Sequence, residues 1–197
     1  MSESADLQTW QAWHEVHQRF ELGWWREALA KGHSLNNVLF AERWQPVRDF
    51  IRPEGLIIDI GCGPRPPFAP CVVIEPLAKR YQAMSLVSVG WWVDVTVYAQ
   101  PAEKFIEELW GAADTVICWN CIDHAVGWRE ILTNMRLYGK PTARFAVATD
   151  FHEPFIGHPG FEREAFMAEI GKQFVVTEQR EDFRHHLALL MQCRVSK

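Results

Sequence analysis

The sequence predicts a doubly wound α/β fold: a seven-stranded, mostly parallel sheet with an antiparallel closing strand and a helical N-terminal cap. Three observations predict it. LIIDIG (Leu56–Gly61) is an apolar run of strand length that passes through Asp59 into a tight turn with Gly61 and Gly63. CVVIE (Cys71–Glu75) is a second such run and ends in a carboxylate twelve residues past Gly63. Further apolar runs then alternate with stretches of helical period, which is the pattern of strands joined by crossovers. A glycine turn after one strand and an acid at the end of the next is how an open α/β sheet holds a nucleoside.

The elements follow in order. Residues 6–31 read as a helix, because Trp10, Trp13, His14, His17, Phe20, Glu21 and Trp24 recur at steps of three and four. KGHSLNN breaks it. Asn36 or Asn37 can cap a second helix running through Phe50, stopped by Pro53 and Gly55. The first strand begins at Leu56. PRPPFAPC (Pro64–Cys71) carries four prolines, so at most a single helical turn fits between the first two strands. Pro76–Val87 reads as a helix with proline near its first position. Val93–Glu103 contains a third strand, Ala102–Trp110 a helix, and Ala113–His124 a fourth strand with a polar end. Gly127–Gly139 is an amphipathic helix with a glycine stop, Thr142–Thr149 a fifth strand and Glu162–Gly171 a helix. Phe174–Glu178 and His186–Val195 read as the closing antiparallel pair. One domain over 1–197 results, with a cap at 1–54 and an α/β core at 55–197.

Composition bounds the function. At 197 residues and 48% apolar, the chain can bury a sizeable core. Its net charge of −5, without any run of lysine or arginine, disfavours a nucleic-acid partner. No apolar stretch reaches the ~18–20 residues of a membrane span, and the polar, acidic N-terminus is unlike a signal peptide. Five irregularly spaced cysteines make no disulfide framework and fit a reducing cytoplasm. Cys118-x-x-Cys121 lacks the further ligands of a zinc knuckle, and residues three apart on a strand face opposite ways. Buried structural thiols are therefore expected, and no metal site. Trp10, Trp13, Trp24 and Trp25 read first as core packing and second as a lid.

The order of strands and their ends resembles the class I S-adenosylmethionine-dependent methyltransferases, over about Leu56–Phe183. The resemblance is closest to a small-molecule branch whose fourth strand ends in Asn-x-x-Asp-His, here Asn120 to His124, and in which a His-Pro follows the fifth strand, here His158-Pro159. It implies a Rossmann-like fold, S-adenosyl-L-methionine as cofactor and a small-molecule acceptor. It implies roles as well. Asp59 orients the loop and the methionine amino end. Gly61 and Gly63 admit the methionine part, Glu75 accepts from the ribose hydroxyls, Ala102 and Glu103 border adenine, and Asn120 meets the amino group.

Methyl transfer is an in-line displacement governed by alignment, and an oxygen or nitrogen acceptor often also needs a base. His124 stands near the expected methyl position, with Asp123 to orient it, while His158 and His152 lie after the fifth strand. Plain explanations stand beside these. Glu103 fits the first turn of a helix on dipole grounds, and His124 can cap a helix. Removing Glu75 is expected to weaken nucleoside binding and to leave thermal stability nearly unchanged. The alternative function is a silent methyltransferase-like binding module, favoured by the proline-rich loop and the missing third glycine. A dinucleotide oxidoreductase fits less well, because Gly-x-Gly-x-x-Gly is incomplete.

Overall fold

The computed structural model describes residues 3–31, 37–85, 87–153, 159–181 and 187–194, with the side chains of 3–14, 37–40 and 89 left aside. Two helices, α1 (Glu3–Ala30) and α2 (Asn37–Ile51), precede the sheet. The core then runs β1 (Ile57–Ile60), β2 (Cys71–Ile74), α3 (Ala78–Gln82), β3 (Val95–Tyr98), β4 (Ala113–Trp119), α4 (Trp128–Tyr138), β5 (Gly139–Thr149), α5 (Arg163–Gln173), β6 (Phe174–Glu181) and β7 (Leu187–Cys193). Among the described residues, no helix is long and apolar enough to cross a membrane.

The seven strands are ordered β3-β2-β1-β4-β5-β7-β6. β1 to β5 pair in parallel, and β7 runs antiparallel to both β5 and β6. The order reverses between β1 and β4, so a crevice opens there beyond the strands' carboxyl ends. Alternation along the strands divides the core in two. Ile58, Ile60, Val116, Phe145 and Leu189 pack under α4 and α5. Ile57, Val73, Ile117, Ala146 and Leu190 pack under α1, α2 and α3. Asp59 and Glu75 continue the second series, so both carboxyls face the side covered by the N-terminal helices.

The expected sheet is present, and several element limits change. The helix expected over Pro76–Val87 contracts to Ala78–Gln82, then to turns in which Met84 N–H donates to Tyr81 O and Val87 N–H to Met84 O, each at 3.0 Å. Serine and β-branched residues after Met84 are weak helix formers. The third strand is shorter than the Val93–Glu103 segment. The helix expected over Ala102–Trp110 is only a 3₁₀ turn at Glu107–Leu109. Side chains of α4 take its backbone groups instead. Asn134 Nδ2 donates to Ala102 O at 2.8 Å and to Glu103 O at 3.0 Å, and Ile106 N–H donates to Tyr138 Oη at 3.1 Å. β4 stops at Trp119 and does not reach His124. Asn120 has φ 56°, in the left-handed region that asparagine tolerates, and Ile122–His124 is a 3₁₀ turn.

That turn overturns the expectation that the two cysteines face opposite ways, while both remain free, largely buried thiols. The Sγ atoms of Cys118 and Cys121 lie 3.0 Å apart, and the Cys121 thiol also donates to Ile60 O at 3.0 Å. Contact with Cys118 and burial hold the Cys121 thiol protonated.

Candidate active site

Two turns at the carboxyl ends of β1 and β2 form the floor of the crevice. Gly61 has φ +71° and Gly63 φ +66°. At Gly61 an added Cβ would also lie 2.5 Å from Cys121 Cβ and Sγ, so the β1 and β4 turns interlock only with glycine there. Gly61 N–H donates to Ile74 O at 3.0 Å, tying the turn to β2. Glu75 completes the tie. Its two carboxylate oxygens accept from Gly63 N–H at 3.3 Å and from Leu77 N–H at 2.9 Å. A carboxylate has about four acceptor positions, so both oxygens can still take a ligand hydroxyl.

Glu75 is only 5% exposed and Asp59 2%. Burial pushes the Asp59 carboxyl up to about 8, helped by the Glu75 charge and opposed by Arg48. Burial likewise pushes Glu75 up to about 7, against the two backbone donors and with the Glu21 charge adding to the rise. Asp59 Oδ2 is buried without a hydrogen-bond partner among the described residues. Two buried acids, one with an oxygen still to be satisfied, make a site for a ligand that carries positive charge and donors.

The crevice measures about 870 Å³. Asp59, Gly61, Gly63 and Glu75 line one part, and Ala102, Glu103 and Asn120 lie along its rim. Asp123 and His124 also line it, opposite α1. The structure thus brings ten of the candidate residues, His152 included, to one cavity. The eleventh, His158, lies outside the described residues. Asn120 N–H donates to Ala148 O at 2.8 Å, which anchors this turn to β5.

Asp123 is buried, and its Oδ2 lies 3.4 Å from His124 Nε2 and 3.5 Å from His152 Nε2. His124 turns its other nitrogen toward α1 across the crevice, with Nδ1 3.9 Å from Glu21 Oε2. The His17 ring meets the His124 ring edge-on at 5.0 Å. Trp25 Nε1 donates to Glu21 Oε1 at 2.7 Å. His17, Glu21 and Trp25 therefore belong to the site; the sequence places His17 and Glu21 only on a helix face, and Trp25 first in the core and second in a lid. Their signal was the four-residue spacing on α1, and nothing local ties it to a turn one hundred residues later. The tryptophans are corrected too. Trp24 is 53% exposed and Trp25 half-buried, and both line the crevice, so neither is plain core. The side chains of Trp10 and Trp13 lie outside the described residues.

No protein-family model matches the chain, and no curated protein matches it in sequence. Solved structures match its fold. A SAM-dependent methyltransferase from Aquifex aeolicus is 12% identical, with a TM-score of 0.63 over 85% of this chain and 98% of that one. The N-methyltransferase NodS from Bradyrhizobium japonicum, in complex with S-adenosylhomocysteine, is 15% identical, with a TM-score of 0.62 over 86% and 98%. The 1,6-didemethyltoxoflavin-N1-methyltransferase from Burkholderia thailandensis, with bound 1,6-didemethyltoxoflavin and S-adenosylhomocysteine, is 12% identical, with a TM-score of 0.58 over 88% and 87%. The fold of this chain is the Rossmann-like fold that these methyltransferases share.

Proposed function

We propose that the protein transfers a methyl group from S-adenosyl-L-methionine to a small-molecule acceptor, oxygen being the acceptor atom its acid–base groups suit. The observation that carries this reading is the buried pair Asp59 and Glu75 at the glycine turn. Burying acids is costly unless a partner supplies charge or donors. The donor molecule has both, in its ammonium and sulfonium and in its ribose hydroxyls. Glu75 would accept from the ribose, Asp59 would face the amino end, and the backbone near Ala102 and Glu103 would border adenine. Asn120 closes the methionine end.

At the acceptor end, Asp123 holds His124 by Nε2, which leaves Nδ1 directed into the crevice. A hydroxyl there would give up its proton to Nδ1 as the methyl group arrives. Trp24, Trp25, Phe50 and Trp119 make the surrounding wall largely aromatic, which suits a small, largely apolar acceptor. His158 is proposed to contact the acceptor from the segment after β5.

Calorimetric titration of the purified protein with S-adenosylmethionine, S-adenosylhomocysteine and NAD tests the assignment. Both sulfur nucleosides should bind one per chain and compete with each other, with no heat from NAD. Tight NAD binding without a response to either sulfur nucleoside would falsify it. Binding of both, with no methyl transfer in a broad acceptor screen, would favour a silent binding module.

A further inference from the structure

We infer that His17, Glu21 and His124 form a binding site for a divalent transition-metal ion of the zinc type, at the acceptor end of the crevice. One donor atom from each lies within 4.8 Å of the other two. His17 and Glu21 are four residues apart on α1, so they project from one face a single turn apart. His124 meets them from the turn after β4. A tetrahedral ion about 2.0–2.2 Å from each donor sets the donors about 3.4 Å apart. The three must therefore draw in by about 1 Å, a shift that small rotamer changes supply.

The surroundings orient these donors as an outer shell would. Asp123 Oδ2 stands 3.4 Å from His124 Nε2, so the imidazole offers Nδ1 toward Glu21 and His17. A carboxylate behind a ligating imidazole is the recurrent second-layer arrangement of such sites. Trp25 Nε1 donates to Glu21 Oε1 at 2.7 Å and leaves Oε2 facing His124. His124 and Glu21 are each about one-fifth exposed, open enough for an ion to enter. Two imidazoles and a carboxylate match zinc, Fe²⁺ or Co²⁺ rather than the all-oxygen shell of Mg²⁺ or Ca²⁺.

Three protein donors leave a coordination position open to the crevice. The role of the ion in catalysis rests on the methyl-transfer reading; its binding does not. In the loaded protein the His124 lone pair is on the ion, so His124 no longer serves as base. An acceptor hydroxyl bound at the open position loses its proton to solvent water, because the cation lowers its pKa. The O–CH₃ bond then forms as the S–CH₃ bond breaks, and the sulfonium's bonding pair returns to sulfur as the neutral thioether.

Chelator-stripped full-length protein, titrated with Co²⁺ by visible absorption and with Zn²⁺ by calorimetry, tests the site. One Co²⁺ per chain should give d–d bands of low-coordinate type, and Zn²⁺ should displace it. His17→Gln and Glu21→Gln should each weaken Zn²⁺ binding by at least about tenfold, with an unchanged helical circular-dichroism signal. His124→Gln, in the turn anchored to the sheet, keeps the test decisive should an α1 variant lose helicity. Absence of stoichiometric Co²⁺ bands, or wild-type Zn²⁺ affinity in His124→Gln, overturns the site. S-adenosylhomocysteine titrated into the same samples separates the two ideas. Nucleoside binding without metal binding removes the ion and keeps methyl transfer, and metal binding without nucleoside binding does the reverse.

Discussion

Glu75 joins the fold to the site through one carboxylate. Its oxygens hold Gly63 N–H and Leu77 N–H in a buried place. Truncation leaves two inward donors unsatisfied, at about 1–3 kcal/mol. Glu75→Ala should therefore lower Tm by roughly 2–12 °C in a domain of this size. This replaces the expectation of unchanged stability, which counted Glu75 as a strand-end acid that contributes little to the core. The same change should weaken S-adenosylhomocysteine binding about ten- to hundredfold, the loss of one charge-assisted pair. Thermal melts and calorimetry on the one variant read both effects. An unshifted Tm would show that the backbone donors find water, and unshifted affinity would place the ribose elsewhere. Gly61 differs, because its φ and the Cys121 contact exclude any side chain on geometry alone.

The connection between β3 and β4 is held by α4 rather than by its own helix. Tyr138 and Asn134 are buried and receive or supply the hydrogen bonds that a helix over residues 102–110 would have made internally. Tyr138→Phe removes the acceptor for Ile106 N–H, and Asn134→Ala removes the donor to two carbonyls. Each should destabilise by about 1–3 kcal/mol in denaturant melts. Asn134→Ala should also loosen the Ala102–Glu103 rim and weaken nucleoside binding, whereas Tyr138→Phe should not. Equal binding losses in both would mean that the rim responds to stability alone. These elements show what was legible in the sequence. The strands were, because buried parallel strands read as short apolar runs closed by glycines and acids. Asp59, Glu75 and Asn120 were, because they stand at strand ends. The α4 hydrogen bonds were not, since Asn134 and Ala102 meet only across the fold. Nor was the direction of Cys121, because a non-glycine residue at positive φ reverses the alternation beyond Trp119. The α1 cluster was hidden for the same reason as Asn134: its partner is distant in the chain.

At the scale of the whole molecule, the N-terminal helices turn one face of the sheet into a covered crevice, and burial there pushes its acids up toward neutrality. The expected roles of Asp59 and Glu75 and their pH dependence share that cause. Both folded-state values are raised, Asp59 from 3.8 to about 8 and Glu75 from 4.5 to about 7. The pair's stabilising contribution is thus fully present below the unfolded values and is lost progressively as pH rises from about 4 to about 8. The ligand-free protein should lose stability over that window, while partly exposed pairs such as Lys140–Asp114 contribute little. A cationic ligand reverses the trend by favouring the ionised pair. S-adenosylmethionine should then bind more tightly as pH rises from about 6 to about 8, and its binding near pH 7 should release protons. S-adenosylhomocysteine lacks the sulfonium charge and should release fewer. Calorimetry in two buffers of different ionisation enthalpy measures the difference directly. Heats independent of buffer, together with flat affinity across the window, would mean that the two acids are already ionised and that the crevice is wetter than its burial implies.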